Sequence, residues 1–259
     1  MEVITKIGLS NPAKPSVITV GSFDGVHLGH NKILDKVIAD AERDEYESVL
    51  ITFKPHPQQV LRKGKSPLFL LTTAEEKLHI LKKSSLDKIV ILPFTTEFSK
   101  IEYTDFLSSY LLDKFNMKKF VLGYDAALGH ERRGHLEQIN EHATENGYSL
   151  DIVPPFKVDE TVVNSTLIRK MLQAGKCDEA AKYLGRSYVI RGEVVHGDHR
   201  GTQMGFPTAN VIPECPDKLI PKDGVYAVKV VLNNEMNYGM VNIGFRPTFH
   251  NSEENSRTI

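Results

Sequence analysis

The stretch Val17-Ile18-Thr19-Val20-Gly21-Ser22-Phe23-Asp24-Gly25-Val26-His27-Leu28-Gly29-His30 decides how the chain folds. Its first part is a β-rich run, its middle is made of turn formers, and beyond His30 the apolar residues Ile33, Leu34, Val37, Ile38 and Ala41 fall on one face of a helix. The segment therefore predicts a β-loop-α unit with its strand at Val17–Gly21. In an open α/β sheet, ligands collect at the carboxyl ends of strands, and a helix N-terminus offers unpaired N–H groups and a positive dipole to a phosphate. His27 and His30, one turn apart at the helix start, are expected to face one side and donate N–H bonds to phosphate oxygens. Gly25 and Gly29 would let a nucleotide approach the backbone. The bland alternative is that the two histidines cap or pack a helix, and the strand-loop-helix context favours the phosphate site over it. A zinc pair would want a third ligand, and the neighbouring sequence does not advertise one.

Outward from this unit, strand patterns at Ser48–Phe53, Lys88–Leu92, Lys119–Gly123 and Ser149–Val153 alternate with helical patterns near 73–83, 103–115 and 133–146. Such alternation predicts a parallel, doubly wound sheet. Shorter helices are expected at 165–173 and 177–183, with a domain boundary near 183–187. Beyond it, β-rich runs at Tyr188–Val195, Val225–Leu232 and Asn237–Ile243, punctuated by Gly and Pro, predict a small β barrel. The acidic stretch Glu42–Glu47 reads as a solvated helix end.

With 259 residues, two domains can each bury a core. A formal net charge of -1 lacks the basic excess of a general nucleic-acid binder, so any anion must be gripped locally. Cys177 and Cys215 have no close His or Cys partners and form neither a zinc pattern nor a disulfide framework, which fits a reducing cytoplasm. No run approaches the roughly 18 apolar residues of a membrane span.

A second polar segment, Val163-Asn164-Ser165-Thr166-Leu167-Ile168-Arg169, could close hydroxyls and a guanidinium over a polyphosphate. Ser165 and Thr166 would also cap a helix in any case. GSFDGVHLGH at 21–30 together with VNSTLIR at 163–169 resembles the prokaryotic FAD synthetase family, whose members usually join FMN adenylyltransferase to riboflavin kinase. The resemblance implies a Rossmann-like nucleotidyltransferase domain over residues 1–184 and a partial flavokinase-like β domain over 185–259. It extends to Thr52-Phe53-Lys54-Pro55-His56-Pro57, which implies flavin binding at Pro55, His56 and Pro57, and to Gly123-Tyr124-Asp125. From the residues alone, the 52–57 segment reads as a proline-rich turn. The chain departs from the family pattern at Ala126, Ala127 and Leu128, where an aromatic F-x-F is usual, and at Asn164, where Ser is common.

The resemblance further implies that Gly21, Ser22, Phe23, Asp24, Gly25, His27, His30, Gly123, Asp125, Ser165, Thr166 and Arg169 bind ATP, with His27, His30 and Arg169 catalytic. ATP and FMN would be substrates, FAD the product, and Mg²⁺ would be held mainly by the phosphates. In the kinase-like part, the P-T-A-N segment holding Thr208 and Asn210 and the runs Gly224–Val228 and Asn242–Thr248 match the family module. The sequence stops before that module's catalytic glutamate, so the expectation is a vestigial kinase site, with exposed barrel edges paired to another subunit. Competing expectations are an adenylyltransferase for another mononucleotide-like phosphate and a flavin- or nucleotide-binding regulator.

Overall fold

A short strand, β1 (Glu2–Ile4), precedes the expected one, β2 (Ser16–Val20), in the computed structural model, which describes residues 1–5, 14–62, 67–195, 208–245 and 257–259. The chain continues through α1 (Leu28–Asp44), β3 (Glu47–Lys54), α2 (Pro57–Leu61), α3 (Ala74–Leu81) and β4 (Lys88–Pro93). A helical stretch follows, made of α4 (Tyr103–Asp105), a π-helical segment at Phe106–Leu112 and α5 (Asp113–Phe115). Then come β5 (Met117–Gly123), α6 (Leu136–Asn146), β6 (Ser149–Val153) and the small antiparallel pair β7 (Lys157–Val158) and β8 (Thr161–Val162). The chain divides into two compact units, Met1–Ser165 and Thr166–Ile259.

In the first unit six parallel strands lie in the order β1-β4-β3-β2-β5-β6. The strand order reverses beside β2: β3 lies on one side of it and β5 on the other. At such a reversal the connections leave in opposite directions and open a crevice at the strands' carboxyl ends. The burial of β2 shows why the sheet is central, since all five of its residues are buried. Ile18 and Val20 pack with Phe106, Leu107, Leu111 and Ile139 on one face, and Val17 packs with Leu34, Val37, Ala41 and Leu81 on the other. Burial on both faces explains why these strands read as nearly continuous apolar runs.

The second unit holds α7 (Ser165–Gln173) from Thr166 onward and α8 (Cys177–Leu184), then β9 (Gly192–Val195), β10 (Asn210–Pro213), β11 (Gly224–Leu232), β12 (Glu235–Phe245) and β13 (Arg257–Thr258). Its sheets are antiparallel, β10 with β9 and β11-β12-β13, consistent with the all-β second part expected from the sequence.

Three expected elements differ in extent. The helix expected from 133 begins at Leu136, because Leu128 and Gly134 form a bridge and His135 is extended. The strand expected from Tyr188 begins at Gly192, and the Tyr188 hydroxyl instead donates to the Leu219 carbonyl at 2.7 Å. The acidic end of α1 is only partly solvated, since Glu47 opens β3 and its carboxylate pairs with Lys88 at 2.6 Å. The kinase-like motifs within 196–207 and at 246–248 lie outside the described residues.

Candidate active site

The connection from β2 to α1 is built on unusual backbone. Phe23, Gly25 and Val26 have φ of 48°, 85° and 38°. Positive φ is ordinary for glycine but uncommon for phenylalanine and a true outlier for a β-branched valine, so surrounding contacts must hold the loop. Asp24, one of the residues expected at the ATP site, supplies such contacts. Its carboxylate turns inward, accepting the Leu71 and Thr72 N–H groups at 3.1 and 3.0 Å and the Thr72 hydroxyl at 3.3 Å. Gly25 N–H donates to the Thr72 hydroxyl at 3.0 Å, and the Ser165 hydroxyl donates to the Asp24 carbonyl at 2.8 Å. At 3 % exposure, Asp24 is a strut beneath the loop.

The loop delivers His27 to the N-cap of α1, where each histidine caps the other's backbone. His27 Nδ1 accepts the His30 N–H at 3.2 Å, and His30 Nδ1 accepts the His27 N–H at 3.3 Å. The rings stack with centroids 3.6 Å apart and planes 14° from parallel, and the Phe23 ring lies 4.7 Å from that of His30. With both Nδ1 atoms accepting, the proton of each neutral ring is on Nε2. Capping and ligand binding are thus compatible in one pair. The first turn of α1 carries no acidic residue, leaving the positive end of the helix dipole for an anion. Gly29 also has a packing reason: a Cβ there would meet the His27 ring at 3.3 Å and the Val163 carbonyl at 3.4 Å, so glycine makes room for the stacked imidazoles.

Sequence reasoning missed Lys77. Its ammonium donates to the Ser22 carbonyl at 2.9 Å and to the Thr52 hydroxyl at 2.8 Å, while the Thr52 hydroxyl itself reaches the Ser22 carbonyl at 3.2 Å. Burial pushes the Lys77 ammonium down to about 8, against the upward pull of the Asp24 charge. The capping box Thr73-x-x-Glu76 that starts α3 is a sequence signal. Nothing local marks the following lysine as buried.

The remaining expected residues are distributed as follows. Gly21 N–H donates to the Ile51 carbonyl at 3.0 Å, and a Cβ on Gly21 would meet the Phe23 ring at 3.0 Å. Gly123 ends β5 and has Asp125 beside it. Asp125, Tyr124, Ala126, Ala127, Arg132 and His135 help line an open cavity of about 400 Å³, so the loop that departs from the aromatic pattern borders open space. The 52–57 segment runs from β3 through a cis Lys54–Pro55 bond into α2. There His56 is the N-cap, its Nδ1 accepting the Gln58 N–H at 3.1 Å. Thr166 and Arg169 follow Ser165 on α7, within the second unit. Asn210 opens β10 opposite Val195, and Thr208 precedes it.

Among the described residues there is no group of three or more His, Cys, Asp or Glu that could hold a metal ion. No helix of the described residues is long and apolar enough to cross a membrane.

A family model described as FAD synthetase matches residues 9–167, and one described as riboflavin kinase matches 184–259. The chain is 35% identical over 92% of its length to a bifunctional riboflavin kinase/FMN adenylyltransferase of Listeria monocytogenes, covering 74% of that protein. It is 33% identical over 94% of its length to the protein of the same name from Bacillus subtilis, covering 76%. A solved structure from Streptococcus pneumoniae, named a macrolide-efflux protein, superposes with a TM-score of 0.84 at 27% identity over 99% of this chain and 88% of that one. The expected loss of the kinase half finds no support here, since the kinase model matches the second part of the chain.

Proposed function

The chain belongs to the FAD synthetase family, and we propose that it is a nucleotidyltransferase that moves the AMP of ATP onto the phosphate of FMN, releasing pyrophosphate and FAD. We place the adenylyltransferase domain at 1–184 and the kinase-like domain at 185–259, a reading supported by the riboflavin kinase model, whose match begins at residue 184.

The observation that carries the reading is the reciprocal His27–His30 cap at the N-terminus of α1, beside the strand reversal. In this reaction an FMN phosphate oxygen attacks the α-phosphorus of ATP in line and pyrophosphate leaves. A phosphate monoester is already ionised, so the protein needs no general base. Its task is to hold two mutually repelling anions and to meet the charge that builds on the phosphate oxygens with donors already in place. The two Nε2–H groups and the open helix end are such donors, and their fixed tautomer means that no proton must be rearranged as charge develops. Mg²⁺ bound to the phosphates would add charge neutralisation. The roles of Pro55, His56 and Pro57 toward flavin, and of Thr166 and Arg169 toward pyrophosphate, are supported by the sequence resemblance.

The test is chromatography of products after incubation with ATP, Mg²⁺ and either FMN or riboflavin. FAD from FMN is the expected result. Absence of FAD under conditions where the protein is folded and binds ATP would remove the assignment, and FMN from riboflavin would show the kinase half at work.

A further inference from the structure

Lys77 is 8 % exposed, and its hydrogen bonds run to a neutral carbonyl and a neutral hydroxyl. Burying an ammonium whose hydrogen bonds go to neutral groups is expensive: even with the Asp24 carboxylate pulling the other way, burial wins and lowers its pKa, and an apolar side chain would often fill such a place at no loss of stability. The oxygens it holds are specific. Ser22 belongs to the loop that ends in His27, and Thr52 lies on β3 just before the Pro55-His56-Pro57 segment. The Ser22 carbonyl accepts from both Lys77 and Thr52, closing a three-membered cluster behind the two segments that the proposed reaction uses. One residue further along the loop, Phe23 sits at positive φ with its ring against His30.

We infer that Lys77 is a positioning residue for adenylyl transfer: through the Ser22 carbonyl and the Thr52 hydroxyl its ammonium fixes the 21–27 loop so that the His27–His30 pair presents its donors to phosphate. The inference rests on the adenylyl-transfer reading above. Lys77 touches no substrate in this scheme. Its charge is partly offset by the buried Asp24 carboxylate of the same loop, so its contribution is mechanical: it restrains backbone that would otherwise relax from its strained conformation.

The test compares wild type, Lys77→Met and Thr52→Val by two readouts: kcat and KM for ATP in FAD formation, and amide hydrogen exchange across residues 21–30 in the ligand-free protein. Both variants are expected to stay folded, with exchange in that segment faster by about tenfold or more as local opening becomes easier. Because a misplaced donor is felt mainly in the transition state, kcat should fall about 10- to 100-fold while KM for ATP changes less than about threefold. Wild-type exchange together with wild-type kcat in a folded variant overturns the inference. Should Lys77→Met fail to fold, Thr52→Val, which exchanges a hydroxyl for a methyl, decides on the same criteria. A wild-type protein that forms no FAD would defeat the adenylyl-transfer reading, and the exchange measurement would still decide whether Lys77 holds the loop.

Discussion

His27 and His30 cap each other: each Nδ1 accepts the other's backbone N–H, at 3.2 and 3.3 Å, and the rings stack 3.6 Å apart. The same atoms thus end a helix and set the tautomer of a donor pair, and these two roles can be separated by substitution.

In His27→Asn the side-chain oxygen can still cap α1, because asparagine is among the best N-cap residues, but the Nε2–H is gone. Stability should stay within about 1 kcal/mol of wild type, while turnover to FAD falls about 100- to 1000-fold, the scale for one lost transition-state donor. Thermal unfolding and product assays on one sample check both. Wild-type turnover would show that the ring only caps.

Asp24→Ala removes an acceptor from two buried backbone N–H groups, those of Leu71 and Thr72. Each bond involves a charged acceptor, so a loss of about 3 kcal/mol is expected. Denaturant unfolding measures it. A change below about 0.5 kcal/mol, the range of neutral surface substitutions, would mean that the strut is not needed.

The pH dependence of Lys77 has a definite sign. Folded, the ammonium titrates near about 8; unfolded, near 10.5. Between those values the unfolded chain binds more protons, so the contribution of this group to stability rises with pH across that window and is lowest below it. Wild type should therefore gain stability relative to Lys77→Met when urea unfolding is moved from about pH 7.5 to about pH 10. Taking the difference between the two proteins cancels the contribution of Tyr148, whose ionisation burial pushes upward. A constant difference would contradict the burial of a charged lysine.

Two glycines with similar backbone separate strain from crowding. Gly147 has φ +70° and open space where a methyl would stand, whereas Gly129, at φ +73°, would press a Cβ onto the backbone N and Cα of Tyr103. Gly147→Ala should lose about 1 kcal/mol from conformation alone. Gly129→Ala should lose about 3 kcal/mol or more, since backbone cannot yield as a side chain can. Unfolding midpoints of the two variants give the comparison, and equal losses would refute it.

The sequence is legible wherever its signal is local and periodic. Val17 to Val20 read as a strand, and Ile33, Leu34, Val37 and Ala41 read as a helix face, because each residue's environment follows from its neighbours' spacing. The π-helical turn at Phe106–Leu112 keeps an apolar pattern that passes for an ordinary helix. Asp24 enters the expected ATP site through the family resemblance, and its own stretch does not announce what holds its carboxylate. Its partners, Leu71 and Thr72, lie 47 and 48 residues away, and no local pattern reports them. The same holds for Lys77, whose partners are 55 and 25 residues distant. Spacing shows which face a side chain is on, but not what waits there.

The supports of the β2–α1 loop have an order of synthesis built into them. Ser22, Asp24, Gly25, Thr52, Thr72 and Lys77 all lie within the first 77 residues, whereas the hydrogen bond from Ser165 to the Asp24 carbonyl spans 141 positions. Short loops close at lower entropic cost than long ones, and N-terminal segments leave the ribosome first. A growing chain therefore carries all of these early supports before the Ser165 hydroxyl that joins them has been made.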